Sequence, residues 1–177
     1  MKNNVQSRLK QKLDFLKEVK LFSGFSDSQL DAMLPAMDLQ EFESGDTIIK
    51  EGDSDETVYI LLEGEVEVSK TLVLPEWIKS SQQQEKSLTR LSHHHHLFFG
   101  EMAMLEDKPE RSATIRAMKH CLMVTISREH IESITQKDPE IGMLIYRNIA
   151  RELVERLVRA NKDILKLTTA FTLALEG

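Results

Sequence analysis

Residues 98–117, FFGEMAMLEDKPERSATIRA, place a glycine, a small helical turn and an arginine at a spacing that suits anion binding. Gly100 can bring the backbone close to a ligand, and a helical turn over 101–105 would offer free N–H groups at the positive end of its dipole. Arg111 adds a planar guanidinium that matches phosphate oxygens, and Ser112 adds a hydroxyl donor. The pattern predicts a cradle for one phosphate group.

Two further residues of this stretch bear on the predicted cradle. Ala113 is small and leaves room beside a phosphate, whereas the carboxylate of Glu101 would repel one. We therefore expect Glu101 to point away from the phosphate, towards hydroxyl donors such as those of a ribose. The residues alone leave an alternative open, in which Glu101 and Arg111 form a surface ion pair in an ordinary turn, helix and strand.

Composition limits the classes of protein that this chain can represent. It has 177 residues, a formal net charge of -6 and 41% hydrophobic residues, which suits one domain with an added helix. The acidic balance argues against a general nucleic-acid binder but permits a local anion pocket. The single cysteine, Cys121, lies in an apolar run and is predicted to be a core residue, so no intrachain disulfide is expected. Since we see no signal peptide and no membrane-spanning run, we expect a cytoplasmic protein.

The elements that must position the cradle follow from hydrophobic periodicity. Apolar steps of three and four predict an amphipathic helix over 5–20, and Ser26 is an N-cap signal for a second helix through about Met37. Ser127 is predicted to cap a short helix, and a long helix is predicted from Asp138. The segments between them that read as short strands are 46–50, 57–69, 113–117 and 121–126, with Gly45, Gly52 and Gly64 where the chain should reverse.

One stretch does not fit this spacing. Residues 71–97 are predicted to be a long exposed loop between two strands, with its SSQQQEKS portion mobile or disordered. The loop ends in His93–His96. Four adjacent imidazoles in a strand alternate faces and cannot all converge on one metal, although two could, so we favour an exposed loop and predict no metal site. Their charge could still give the neighbouring pocket a response to mild acid.

Three stretches together resemble the cyclic-nucleotide-binding domain family, which includes the bacterial catabolite activator proteins and the regulatory subunits of cAMP-dependent kinase. LFSGFSDSQLDAM resembles the helical entry of the family, and FESGDTIIKEGDSDETVYILLEGEVEV resembles its first strands. FGEMAML followed by ERSATIRA looks like its phosphate-binding cassette. The resemblance covers nearly the whole chain.

The resemblance implies a fold and a division of the chain. The fold would be α+β and mainly β: an antiparallel β-roll, that is, a jelly-roll-like double-stranded β-helix, with N-terminal helices and a long C-terminal helix. Residues 1–38 would form the helical segment and 39–137 the β-roll, with the cassette at 98–117. Residues 138–177 would form the C-terminal helix of what is one domain overall.

The resemblance also implies roles for the cassette. Gly100 and Glu101 would hold the ribose 2′-hydroxyl of a cyclic nucleotide, and Arg111 and Ser112 would hold the cyclic phosphate. Main-chain groups around Met102 and Ala103 would help, and Ala113 would leave space. The expected ligand-binding set is therefore Gly100, Glu101, Met102, Ala103, Arg111, Ser112, Ala113 and Arg156.

Arg156 is in that set because the sequence departs from the catabolite activators there. Arg156 and Leu157 occupy the positions where those proteins offer small hydroxyl residues to the adenine. A guanidinium can stack on a base and can only donate hydrogen bonds, so Arg156 is a candidate base contact, with a solvated helix residue as the alternative. The expected ligand is cAMP, while cGMP or a cyclic dinucleotide stays open.

The resulting prediction is a regulatory sensor that is not an enzyme and needs no cofactor. It would signal by moving its C-terminal helix, acting on an effector protein or within a homodimer through the seam Leu153, Leu157 and Ile164; packing of that seam on the β-roll is the alternative. We expect no DNA binding from this chain, since the helix-turn-helix of the transcription factors is missing. Two other functions stay open: a protein-interaction module that no longer binds nucleotide, and a cupin-like metal binder built on His93–His96 and Glu101.

Overall fold

The computed structural model describes residues 2–72 and 85–176, and it opens with a helical segment. The helices are α1 (Lys2–Lys10), α2 (Leu13–Glu18) and α3 (Asp27–Met33), and one 3-10 turn follows α2 (Lys20–Phe22) and another follows α3 (Leu34–Ala36). The predicted helix over 5–20 is thus two helices. Leu9 and Leu16 are buried on either side of the break, and the amide of Lys12 bonds to the carbonyl of Leu9 in a 3-10 pattern that ends α1.

The cap at Ser26 is where the sequence placed it. The side chain of Ser26 accepts from the amide of Gln29, and the Gln29 side chain accepts from the amide of Ser26, so the two form a capping box. This fixes the start of α3, whose Leu30 and Met33 then pack into the core.

Two four-stranded antiparallel sheets form the centre of the molecule. Their strands are β1 (Asp38–Phe42), β2 (Thr47–Ile49), β3 (Thr57–Glu63), β4 (Glu65–Thr71), β5 (Glu85–Ser92), β6 (Phe98–Phe99), β7 (Thr114–Ala117) and β8 (Cys121–Ser127). One sheet has the order β1-β8-β3-β6 and the other the order β2-β7-β4-β5. This is the predicted antiparallel β-roll.

The β-roll has two hydrophobic cores. One lies between the sheets and includes Tyr59, Val66, Phe99, Ile115 and Met123. The other lies between the opposite face of the β3–β8 sheet and the helices, which explains why both strands are buried along almost their whole length.

Cys121 belongs to the first of these cores, as predicted. Gly64 lies in the turn between β3 and β4, next to Cys121, and has a φ of 105°. A Cβ on Gly64 would lie 2.6 Å from the Cys121 sulfur and 2.6 Å from the carbonyl of His120. The turn therefore requires glycine for its conformation and for its close packing.

The prediction of a loop over the whole of 71–97 is wrong at its second half. Residues 85–92 form β5, which pairs with β4 from Glu65 opposite Ser92 to Thr71 opposite Glu85. β5 is an edge strand with mostly exposed polar side chains, so it lacks the hydrophobic alternation that marks a strand in a sequence. The last three residues of SSQQQEKS lie in β5, and the rest of that stretch is outside the described residues.

His93–His95 form a 3-10 turn between β5 and β6. The side chain of Ser92 caps this turn by accepting from the amide of His94. His96 follows in the left-handed region with a φ of 48°, and its ring packs on Phe15 of α2 with ring centroids 4.6 Å apart. The histidines thus form an ordered link between the roll and the helical segment.

The remaining helices are α4 (Glu101–Leu105), which lies between β6 and β7, and α5 (Arg128–Lys137) and α6 (Pro139–Glu176), which follow β8. Ser127 caps α5 by accepting from the amide of His130, as predicted. The first turns of α6 bury Ile141, Ile145 and Ile149 against the roll and helices.

The distal part of α6 is different. Leu157 and Ile164 are each 60% exposed, so the alternative in which they pack on the β-roll is wrong, while Leu153 is partly buried against the core. Among the described residues, no helix combines the length and apolar character that crossing a membrane requires.

Candidate functional site

The turn at Gly100 is shaped by the residues that surround it. Gly100 has a φ of 84° and precedes α4 (Glu101–Leu105) as its N-cap. A Cβ at this position would lie 2.6 Å from Nη1 of Arg111 and 2.6 Å from the carbonyl oxygen of Thr57. Glycine is needed here for the left-handed backbone and for the close approach of the arginine.

Arg111 is held by three protein groups and is 3% exposed. Its Nη1 donates to the carbonyl of Gly100 over 2.8 Å, and its Nη2 donates to the carbonyl of Thr57 over 2.7 Å. Nη2 also donates to the carboxylate of Asp55. Nε is buried and has no hydrogen-bond partner among the described residues, so a donor remains free on a guanidinium that is otherwise fixed.

Backbone bonds hold Arg111 in place from both sides. Its amide donates to the carbonyl of Asp53 over 2.8 Å, and its carbonyl accepts from the amide of Gly52 over 2.9 Å. Burial raises the pKa of Asp55, but hydrogen bonds from Thr57 and Arg111 outweigh it, and the net pKa lies below its ordinary value. Asp55 is therefore an ionised partner for the arginine at neutral pH.

Glu101 is 1% exposed and faces the C-terminal helix rather than Arg111. Its Oε1 accepts from Nη1 of Arg156 over 2.8 Å, while its Oε2 is buried with no hydrogen-bond partner in the described part of the chain. Burial raises the pKa of Glu101, and the nearby Arg156 opposes this without cancelling it. The alternative of a surface ion pair between Glu101 and Arg111 is wrong, because both residues are buried and each pairs with another group.

The side chain of Arg156 is bound both by residues of the cassette and by a residue of its own helix. Besides the bond to Glu101, its Nη2 donates to the carbonyl of Phe98 over 2.9 Å and its Nε donates to Oε1 of Glu152 over 3.0 Å. The guanidinium is thus bound by protein groups and is not a solvated helix residue. Contact with a base, as the sequence suggested, stays an untested prediction.

The other predicted residues lie in and around this cluster. Ala103 is buried and Ala113 is half-buried, while Met102 and Ser112 are exposed. The Ser112 hydroxyl lies 3.8 Å from the sulfur of Met102. The structure therefore brings Gly100, Glu101, Arg111 and Arg156 together and leaves Ser112 open to a ligand.

Sequence reasoning missed several residues of the cluster. Asp55 and Thr57 lie on the turn into β3, and Glu152 lies on α6. The run EGDSDET at 51–57 could have indicated this contact, since an acidic turn before a strand can supply a carboxylate that pairs with the arginine of the cassette. Nothing in the spacing of α6 distinguishes Glu152 from its other charged residues.

The histidines are engaged with neighbouring protein groups. His93 Nδ1 lies 3.1 Å from the carbonyl of Gly64, and His95 Nδ1 lies 3.0 Å from the carbonyl of Ser92. Within residues 2–72 and 85–176, no group of three or more His, Cys, Asp or Glu side chains is placed to hold a metal ion. The described residues therefore give the cupin-like alternative no support.

The antiparallel β-roll thus places a glycine-led turn against a buried arginine, an arrangement that suits the binding of an anionic ligand. The family model of the cyclic nucleotide-binding domain matches residues 39–138. The chain therefore belongs to the cyclic nucleotide-binding domain family, as the resemblance implied. Membership of this family supports the binding of a cyclic nucleotide.

The chain is similar in sequence to a protein kinase, a kinase regulatory subunit and a transcriptional regulator. The chain is 30% identical over 142 residues to a cGMP-dependent protein kinase of Eimeria tenella, covering 80% of this chain and 12% of the kinase. It is 32% identical over 115 residues to a cAMP-dependent protein kinase regulatory subunit of Debaryomyces hansenii, covering 65% and 22%. It is 30% identical over 128 residues to the cAMP-activated global transcriptional regulator CRP of Salmonella typhimurium, covering 72% and 56%. The chain thus spans only part of each of these relatives.

Solved structures share the fold. The catabolite activator protein of Thermus thermophilus superposes with a TM-score of 0.69 at 26% identity, over 84% of this chain and 63% of the other. A cyclic nucleotide-binding domain from Methylobacillus flagellatus superposes with a TM-score of 0.74 at 20% identity, over 91% and 84%. These likenesses confirm the β-roll with its flanking helices.

Proposed function

We propose that this chain is a cyclic-nucleotide sensor whose ligand is cAMP and that it regulates rather than catalyses. One observation carries the proposal. Nε of Arg111 and Oε2 of Glu101 are buried polar atoms without a hydrogen-bond partner among the described residues. One is a donor and the other an acceptor, as a phosphate and a sugar hydroxyl require, and buried polar groups are rarely left unpaired in a folded protein.

The cyclic phosphate would bind at Arg111. Its Nε–H would donate to a phosphate oxygen, and the amides of Met102 and Ala103 in the first turn of α4 would supply further donors. The exposed hydroxyl of Ser112 completes the set. Hydrogen bonds between a guanidinium and a phosphate are charge-assisted and about twice as strong as neutral ones. Asp55 keeps the guanidinium in position while the ligand uses the free donor.

The ribose would bind at Glu101. Its Oε2 accepts from the 2′-hydroxyl while its Oε1 stays bonded to Arg156, so ligand and helix use different oxygens of one carboxylate. Arg156 then supports sugar recognition by favouring the ionised form of a carboxylate that burial disfavours. This replaces the base contact as the role that we propose for Arg156.

The choice of cAMP over cGMP has two supports. Guanine presents O6 and N7 as acceptors, which arginine reads well, but the guanidinium of Arg156 already donates to Glu101, Phe98 and Glu152. In addition, two of the relatives above are named for cAMP, although one is named for cGMP. We therefore expect cAMP to bind more tightly.

The response would pass through α6. Arg156 joins this helix to the cassette. If the protein can hold α6 in two positions and the ligand binds one of these conformations more tightly, ligand binding shifts the population towards that conformation. The exposed seam defined by Leu157 and Ile164, which Phe171 continues at the same seven-residue spacing, would then act within a homodimer.

Calorimetric titration of the purified chain with cAMP, cGMP and linear 5′-AMP tests the proposal. We expect saturable binding of cAMP at one site per chain, weaker binding of cGMP and far weaker binding of 5′-AMP, whose phosphate is not a diester. Tighter binding of cGMP would overturn the choice of ligand. No binding of either cyclic nucleotide would leave the interaction-module alternative instead.

A further inference from the structure

Glu152 is a charged residue that the protein buries almost completely. It lies on α6, its side chain is 1% exposed, and three cations converge on it. Nζ of Lys20 lies 2.9 Å from Oε2, Nε of Arg156 lies 3.0 Å from Oε1, and Nη2 of Arg159 lies 3.4 Å from Oε1. A carboxylate is rarely buried this completely unless it is paired, and Glu152 has three partners.

The charge state of Glu152 follows from these contacts. Burial raises the pKa of this carboxyl, but hydrogen bonds from Lys20 and Arg156 outweigh it, so the net pKa lies below its ordinary value. Glu152 is therefore an ionised acceptor at neutral pH, and both of its oxygens are occupied.

The guanidinium of Arg156 is held between two buried carboxylates. Nε donates to Glu152, while Nη1 donates to Glu101 and Nη2 donates to the carbonyl of Phe98. A guanidinium is planar, so fixing its Nε edge limits where Nη1 and Nη2 can point. Without that restraint, a long arginine side chain would gain rotamer freedom that opposes the bond to Glu101.

Lys20 extends the cluster to the helical segment. It lies in the 3-10 turn after α2 and bonds to both Glu152 and Glu155. Glu155 is 54% exposed and contacts Lys20 over 2.6 Å, and within the described part of the chain it forms no ion pair with Arg156. Glu155 thus shares the lysine with Glu152 and provides a matched control for it.

We infer that Glu152 is a positioning residue for sugar recognition, which holds the guanidinium of Arg156 against Glu101 and thereby sets the affinity for the ribose 2′-hydroxyl. The ligand part of this inference rests on the proposed function, whereas the orientation of Arg156 is a property of the ligand-free protein. The two parts can therefore fail separately.

The ligand part is tested by titrating cAMP and 2′-deoxy-cAMP into the wild type, Glu152→Gln and Glu155→Gln. We expect Glu152→Gln to weaken cAMP binding about tenfold, the scale of one hydrogen bond to a charged group, and to change 2′-deoxy-cAMP binding less than about twofold. Glu155→Gln should change neither by more than about twofold. An equal loss for both ligands in Glu152→Gln would overturn the inference, because a general structural role predicts that result.

The ligand-free part is tested by nitrogen-15 NMR of the arginine side chains. In the wild type we expect separate Nη–H signals for Arg156, since Glu101 and Phe98 restrain its rotation, and in Glu152→Gln we expect these signals to merge. Separate signals that persist in the variant would overturn the inference even if neither cyclic nucleotide binds. If Glu152→Gln fails to fold in a thermal unfolding check, Arg156→Lys replaces it. An ammonium lacks the planar fork, so wild-type discrimination between cAMP and 2′-deoxy-cAMP in that variant would also overturn the inference.

Discussion

Nη1 of Arg156 lies 2.8 Å from Oε1 of Glu101, and this contact ties the C-terminal helix to the turn that begins the cassette. Glu101 is buried, and only one of its oxygens is paired among the described residues. A carboxylate in this state destabilises the fold while it is ionised, and it gains a partner when a ligand hydroxyl arrives. The site is therefore built at some expense of stability.

A pH series should detect that expense. The pKa of Glu101 is raised in the folded protein, so the folded state binds this proton more tightly than the unfolded chain does. Its stabilising contribution is full below the unfolded value, near 4.5, and is lost as the pH rises through the raised pKa. As the pH falls from about 7.5 to about 4.5 we expect the wild type to gain stability relative to Glu101→Gln, measured as the free energy of unfolding in urea.

Glu106→Gln serves as the control for this series, since Glu106 ends the same short helix and is exposed. Its free energy of unfolding should follow the wild type across the pH range. A difference between Glu101→Gln and the wild type that stays constant with pH would show that Glu101 titrates normally.

Arg111 should be indispensable for ligand binding. Replacing it by alanine removes the buried donor and leaves Asp55 facing the phosphate, so we expect cAMP affinity to fall about 100-fold or more in a calorimetric titration. Arg111→Lys should recover little, because an ammonium cannot reproduce the bonds to Gly100, Thr57 and Asp55 together with one to the ligand.

Arg116 is the matched control for this pair of variants. It lies on β7 and pairs with Glu85 at the surface. Arg116→Ala should bind cAMP within about twofold of the wild type. If Arg111→Ala also bound normally while folded, Arg111 would not be part of the site.

Gly100 should tolerate no side chain. In Gly100→Ala the new Cβ meets Arg111 and the carbonyl of Thr57, each at 2.6 Å, in addition to the strain of a φ of 84°. We expect a loss of about 3 kcal/mol or more in the free energy of unfolding together with loss of cAMP binding. Thermal unfolding and titration of the same samples would measure both.

Gly45→Ala separates backbone strain from the clash. Gly45 has a φ of 95°, but a Cβ there would meet nothing within 4 Å. We expect a loss of about 1 kcal/mol from the left-handed backbone and unchanged ligand affinity. Similar losses of unfolding free energy in Gly100→Ala and Gly45→Ala would mean that the close approach of Arg111 is not what excludes a side chain at position 100.

The exposed seam of α6 predicts self-association. Leu157 and Ile164 are each 60% exposed, and their joint replacement by aspartate should shift a dimer to monomer in sedimentation equilibrium, since charges are excluded from an apolar helix seam. Lys162→Asp changes the charge on another face of the helix and should leave the association intact. A monomeric wild type would contradict the homodimer.

Local signals allowed much of this structure to be predicted. The caps at Ser26 and Ser127 and the turn at Gly64 depend on residues close in sequence, and all three lie where the sequence indicated. β5 was missed because its exposed polar side chains carry no hydrophobic pattern, and only its pairing with β4 makes it a strand. The break between α1 and α2 was missed because the apolar spacing continues across it.

The site shows the same division between local and distant information. Gly100 and Arg111 lie in one short motif, and the structure brings them into contact. Asp55 reaches Arg111 across 56 residues, and Arg156 reaches Glu101 across 55 residues. Such pairings are set by the packing of the roll and α6, so the spacing of charges along the chain could not reveal them.

The length of α6 gives the bond between Arg156 and Glu101 a mechanical consequence. Past Leu157 the helix continues to Glu176, and the side chains of residues 158–175 are exposed to solvent, a projection of about 30 Å at the usual rise per residue. A tilt of roughly 10° at the level of Arg156 would carry the far end about 5 Å sideways. The projecting helix would thus act as a lever arm, so that a small rearrangement around a sugar hydroxyl becomes a larger displacement that a neighbouring molecule could sense.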